Sequence, residues 1–125
     1  MRYTYCRKNH RISGFCIQMP FGLVHAEPFR SLSVEACFLY SCLLSAQSLI
    51  NEVDKKGHGY VSVSEEELER LLRCNKDKAA HVLRELSDDA GLISVREGKE
   101  KHLVVYVKNF ERPILPPNAR RKFGI

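Results

Sequence analysis

Apolar residues recur at helical spacing in three stretches of the chain and alternate in three others. The first helical stretch opens at Ser33, whose hydroxyl can cap free amides, with Glu35 suited to the positive end of the helix dipole. Ala36, Leu39, Tyr40, Leu43 and Ala46 form one stripe that runs to about Ile50. Phe38, Cys42 and Leu49 form a second stripe on another side. A helix apolar on two sides is usually buried in a core or in a dimer interface. The second helix opens with Ser64-Glu65-Glu66-Glu67, a capping box, and should bury Leu68, Leu71 and Leu72. Arg73-Cys74-Asn75 breaks it. Asn75 can then cap a third helix reaching about Asp89, with Ala79, Val82, Leu83 and Leu86 on its inner face and Gly91 as its stop.

The alternating segments are shorter. Tyr60-Val61-Ser62-Val63 reads as a strand before the second helix, after a polar, turn-rich segment from Asn51 to Gly59. Leu92-Ile93-Ser94-Val95 and Leu103-Val104-Val105-Tyr106-Val107 read as two strands joined by the charged loop Arg96 to His102. Tyr3 to Met19 alternates loosely around Ser13-Gly14 and fits short strands or an extended arm. Pro20 and Pro28 leave room for only a short turn of helix at Phe21-Gly22-Leu23-Val24. The organisation expected is a basic arm over 1–14, one domain over 15–110 and an extended basic tail over 111–125. The order helix, strand, helix, tight turn, helix, strand, loop, strand predicts an α+β fold. It is a winged helix-turn-helix of three main helices with a C-terminal β-hairpin wing.

The length of 125 residues and a hydrophobic content of 44% suit one domain with a real core. The net charge of +5 is unevenly spread, with an acidic middle between two basic ends. A face built from both ends could meet a polyanion. In a helix-turn-helix the second helix of the pair enters the major groove. Here its outer face would carry Asn75, Lys76, Lys78, His81 and Arg84, interrupted by Asp77 and Glu85. Asn and Arg can read bases, and Lys and Arg neutralise phosphates. Arg96, Lys99 and Lys101 would add phosphate or minor-groove contacts from the hairpin loop, where two glutamates also fit a plain solvated turn.

Other chemistry finds little support. Five cysteines at 6, 16, 37, 42 and 74 include no Cys-x-x-Cys, so free thiols in a reducing cytoplasm are expected, and no metal or cofactor. Cys6, His10 and Cys16 lack a clear fourth ligand for zinc. Asp54 to Glu65 matches a calcium loop at its first, sixth and twelfth positions, but Lys56 and His58 stand where oxygen ligands belong. No nucleophile elbow or phosphate-binding glycine loop points to an enzyme. The basic N-terminus is followed by no apolar signal segment, and no apolar run is long enough for a membrane span.

An ordered series of short matches resembles the N-terminal domain family of replication initiator protein A of Gram-positive plasmids and mobile elements. It begins at Phe15-Cys16-Ile17-Gln18-Met19-Pro20 with Leu23, then Leu32-Ser33-Val34-Glu35-Ala36 and Tyr40-Ser41-Cys42-Leu43-Leu44. It resumes at Gly59-Tyr60-Val61, Glu66-Glu67-Leu68 and Leu71-Leu72-Arg73-Cys74-Asn75. It closes with Lys78-Ala79, Leu83-Arg84-Glu85-Leu86, Gly91-Leu92-Ile93 and Tyr106-Val107-Lys108-Asn109-Phe110. The resemblance implies a winged helix that dimerises and binds double-stranded origin DNA to start replication, with host replication proteins as further partners. A transcriptional regulator with the same fold, or a winged helix that binds protein and no DNA, remains open at this point.

Overall fold

The computed structural model describes residues 2–9 and 16–110. The basic tail expected over 111–125 and the turn expected at Ser13-Gly14 lie outside the described residues. Residues 2–9 and 16–20 contain no helix or strand.

Helix α1 spans Phe21–His25, set off by Pro20, and a single 3₁₀ turn follows at Glu27–Phe29. Helix α2 spans Val34–Ile50. The Ser33 hydroxyl accepts the Ala36 amide at 3.1 Å, and Asn51 ends the helix in the left-handed region at φ 60°. Strand β1 is Tyr60–Ser64, and its last residue caps α3, Glu65–Leu72, by accepting the Glu67 amide at 3.1 Å. Arg73 turns the chain with a left-handed φ of 54°. Asn75 then caps α4, Lys76–Arg84, through a 2.9 Å bond from the Lys78 amide to its Oδ1. The helix does not run on to Asp89 as an α-helix: Glu85–Asp89 widen into a π turn, and Gly91, at φ +68°, ends it.

Strands β2, Ile93–Glu97, and β3, His102–Val107, complete an antiparallel sheet in the order β1-β3-β2. The register pairs Val61 and Val95 with Val105, so the valines share the face turned to the helices. Tyr60, Ser94, Arg96 and Tyr106 alternate with them on the outer face. Leu23, Leu39, Tyr40, Val82, Leu86 and Val105 form the centre of the core, each with at most 1% of its surface exposed. Phe110 closes the core edge-on against Phe29 and Tyr40, with ring centroids 5.6 and 6.3 Å away.

Three expectations change. The strands extend further than the alternation suggested, so the hairpin turn is only Gly98–Lys101, with Arg96 inside β2 and His102 inside β3. Leu71 is exposed rather than buried, because Leu68 and the half-buried Leu72 supply the inner face of so short a helix. Glu85, expected on the outer face of the third helix, is 9% exposed. Its carboxylate accepts the Ser33 amide at 3.0 Å and the Ser33 hydroxyl at 2.7 Å. That places a negative charge at the N-terminus of α2, where the unpaired amides and helix dipole favour it.

Two outcomes follow from these contacts. Glu85→Ala should lower unfolding free energy in urea by about 1–3 kcal/mol, since it strips a charged acceptor from a part-buried donor pair. Glu97→Ala, on the exposed end of β2, should change it by less than about 0.5 kcal/mol. The Tyr40 hydroxyl donates to the Lys108 carbonyl at 2.6 Å, and burial pushes its pKa up to about 12. The folded state therefore holds this proton more tightly than the unfolded chain, whose tyrosines ionise near about 10. The resulting stability is fully present below about pH 10 and is lost as pH rises towards 12. Tyr40→Phe should flatten that alkaline decline in chemical-denaturation curves. An unchanged decline would show that Tyr40 does not carry it.

Candidate nucleic-acid interface

Helix α4 packs Ala79 and Val82 inward, with Leu86 of the π turn continuing the same line into the core. What remains outside is Lys76, Asp77, Lys78, His81, Arg84 and Asp88, all exposed. Ala80, Leu83 and Ser87 are half-buried beside them.

The sequence-predicted residues of α4 and its cap fall into three groups. His81 and Arg84 stand exposed in the last turn of α4. Arg84 also lines an open cleft of about 420 Å³ with Ser87, Asp88, Ser94 and Val95, where the helix end meets β2. Lys76 and Lys78 are exposed but each is tethered to a carboxylate of another helix. Lys78 Nζ lies 3.2 Å from Glu35 in the first turn of α2, and Lys76 Nζ lies 3.7 Å from Glu65 in α3. Asn75 is exposed, but its Oδ1 is engaged in the cap. A bidentate contact to adenine uses both amide atoms, so a base would share Oδ1 with the cap.

Lys99 and Lys101 sit at the tip of the hairpin with Gly98 and Glu100. Glu100 and Lys101 both adopt positive φ, 55° and 63°, which turns the chain within four residues. A methyl group on Gly98 would come within 3.0 Å of the His102 carbonyl oxygen and 3.1 Å of Val104, so glycine suits this close approach. Arg96 parts from this group. It lies on the outer sheet face with its guanidinium 5.4 Å from the centroid of the Tyr106 ring.

Sequence reasoning missed the carboxylates that hold α4. Glu35 reads as a dipole complement within its own helix, and nothing local says that Lys78 meets it. The acidity of Glu35 is raised accordingly. Its own backbone amide, then the hydrogen bond and charge of Lys78, hold its pKa below the usual carboxylate value. For the thiols the reverse holds: burial pushes Cys37 up, helped by the charge of Glu85, and burial pushes Cys42 up. All five cysteines are free. Among the described residues no cluster of His, Cys, Asp and Glu could hold a metal ion, and His10 of the zinc candidate lies outside them.

A helix pair joined by a tight turn, preceded by a strand and followed by an antiparallel hairpin, makes this a winged helix-turn-helix domain. The chain belongs to the family of replication initiator protein A (RepA) N-terminal domains, whose pattern matches residues 15–117. Solved structures of similar fold include one described as the N-terminal domain of a DNA-binding protein. It has a TM-score of 0.66 and 22% identity, over 100% of this chain and 98% of the other. A Rep–DNA complex matches with a TM-score of 0.66 and 22% identity, over 99% and 98%. An MDR initiator matches with a TM-score of 0.65 and 19% identity, over 98% and 96%. No curated protein sequence matches significantly.

The Glu35–Lys78 pair gives a direct check. In a carboxyl-detected NMR titration, Glu35 should titrate below the ordinary glutamate range. In Lys78→Gln its midpoint should rise yet stay depressed, because the backbone amide still donates. A pair that lowers a carboxylate pKa stabilises above the unfolded value and loses that contribution as pH falls through the folded one. A midpoint indifferent to Lys78 would mean that the two side chains do not meet in solution.

Proposed function

We propose that this domain binds double-stranded DNA and serves a replication initiator by recognising origin sequence. The outer face of α4 enters the major groove and the Gly98–Lys101 turn follows the phosphate backbone. The observation that carries this reading is the exposure of His81 and Arg84 on α4, in a domain of the replication initiator family. The likeness of fold to a Rep–DNA complex supports it. Arg84 is the base reader of this account, with Lys76, Lys78, Lys99 and Lys101 as phosphate contacts. Lys76 and Lys78 exchange their carboxylate partners for phosphates on binding, which costs little because exposed ion pairs contribute only about 0–1 kcal/mol. Asn75 keeps its capping role, and Arg96 belongs to the sheet face instead.

The role is one of binding rather than catalysis, exercised in the cytoplasm where plasmid origins are found. Among the described residues no helix is long and apolar enough to cross a membrane. A second copy of the chain completes the assembly. Phe38, Leu49 and Ile50 of α2 and Leu71 of α3 are exposed. An open, mainly apolar groove of about 500 Å³ runs between Ile17, Cys42, Ala46, Leu49 and Leu71. Covering it with the same groove of a partner would give a two-fold dimer with two α4 helices for two half-sites.

Two measurements test this function. After selection of a preferred duplex, Arg84→Ala should relax preference at one base pair at a cost of about 1–3 kcal/mol. Lys99→Glu and Lys101→Glu should weaken all duplexes alike and lower the slope of log affinity against log salt by about 0.9 per contact. Glu66→Lys, in the acidic first turn of α3, should not weaken binding. If all these variants bind duplex as the parent does, the groove-docking reading gives way to a protein-interaction role. For assembly, light scattering should find a dimer that Leu49→Glu converts to monomer. A parent that stays monomeric at tens of micromolar contradicts it.

A further inference from the structure

We propose that the outer face of the sheet carries a second site, which binds an unpaired nucleotide unit of single-stranded nucleic acid. An open pocket of about 540 Å³ lies between the 54–59 loop and the β2–β3 hairpin, lined by Lys56, His58, Arg96, Tyr106 and Lys108 with Asp54. Its size falls within the range of small-molecule sites, about 300–1,000 Å³. No residue of α4 lines it.

The walls are fixed in advance. The Asp54 carboxylate accepts the amides of Lys56 at 2.8 Å and His58 at 2.9 Å, and the Asp54 carbonyl accepts the Gly57 amide at 3.0 Å. Gly57 adopts φ +83°, which the tight return of the loop requires. A bridge between Val53 and Gly59 closes the loop at its base. On the opposite wall, the Lys108 backbone is held from both sides, its amide donating to Leu92 at 2.9 Å and its carbonyl accepting from Tyr40 at 2.6 Å.

This construction also decides the charge of the site. Asp54 is the one acidic residue in the lining, and it is turned to internal work. Loop amides, led by that of His58, hold its pKa low, with the Tyr106 hydroxyl as a further donor. Three cationic residues, Lys56, Arg96 and Lys108, share the lining. Arg96 is laid 5.4 Å from the Tyr106 centroid, and the Tyr60 and Tyr106 rings stand 5.9 Å apart. Flat guanidinium and aromatic surfaces take up bases by stacking, and flanking lysines take up the phosphodiester. A base in a duplex has its faces covered by its neighbours, so only an unpaired base can use such a plane. An acidic peptide would meet the lysines but leave the Arg96–Tyr106 plane idle.

Ser94 lines both this pocket and the cleft beside Arg84. The two sites therefore adjoin across β2, yet they use different side chains and can be separated by mutation. This proposal does not depend on duplex binding by α4.

The test is fluorescence anisotropy with a labelled oligothymidylate single strand and, separately, a labelled duplex. The parent should bind the single strand. Arg96→Ala and Lys56→Ala should each weaken it, the first by about tenfold because stacking is lost, while duplex affinity changes less than about twofold. Tyr106→Phe, which keeps the ring, should retain single-strand binding. Arg84→Ala should leave it unchanged. A parent that binds no single strand overturns the proposal, as does single-strand binding that survives Arg96→Ala and Lys56→Ala together. Displacement by polyglutamate as effective as by unlabelled oligothymidylate would identify an acidic-peptide site and overturn it too. A parent that binds the single strand but no duplex would refute the α4 reading alone.

Discussion

A carboxylate buried between two helices sets the frame on which the proposed DNA-binding surface depends. Glu85 reaches from the end of α4 to the N-cap of α2, 52 residues away in sequence, and takes both the amide and the hydroxyl of Ser33. Ser33 in turn accepts the Ala36 amide, so one chain of bonds joins the α2 cap to the π turn. Removing a carboxylate from water is costly, and the cost is met only when charge-assisted bonds and a favourable dipole replace the lost solvent. The π turn belongs to the same arrangement. It opens with the buried Glu85 and Leu86, while Arg84 just before it stays outside.

From that anchor the orientation of α4 follows. Glu35, in the first turn of α2, meets Lys78 near the start of α4, so the same two helices touch at a second charged point. Glu65 meets Lys76 from α3. The basic helix is thus flanked by carboxylates of its two neighbours, which neutralise it in the free protein and yield to phosphate in the proposed complex. Among the described residues no carboxylate pairs with Arg84, Lys99 or Lys101, and their positive charge is available for steering a polyanion.

Much of the fold was legible because it is written in local chemistry. Ser33, Ser64 and Asn75 cap the helices whose starts they predict, and Gly91 sits at a left-handed stop. The valine alternation placed the strands, although turn signals alone set the hairpin loop too wide by including Arg96 and His102. The candidate site was legible in its helix but not in its partners. Arg84 and His81 are exposed as periodicity implies. Glu85 could not be placed, since its partner Ser33 is distant in sequence. The pocket on the outer sheet face was invisible for the same reason: the 54–59 loop, Arg96 and Lys108 meet only in three dimensions. The stretch that superficially matched a calcium loop proves to be one of its walls, with Asp54 serving backbone amides.

The central claim is that α4 and the hairpin tip form one duplex-binding face. Its most direct test is the change in backbone amide NMR shifts when a duplex carrying the preferred site is added. The account predicts the largest changes over Lys76–Arg84 and Gly98–Lys101, with small ones in the acidic first turn of α3. Changes centred on Glu65–Glu67, with α4 and the hairpin tip unmoved, would contradict it.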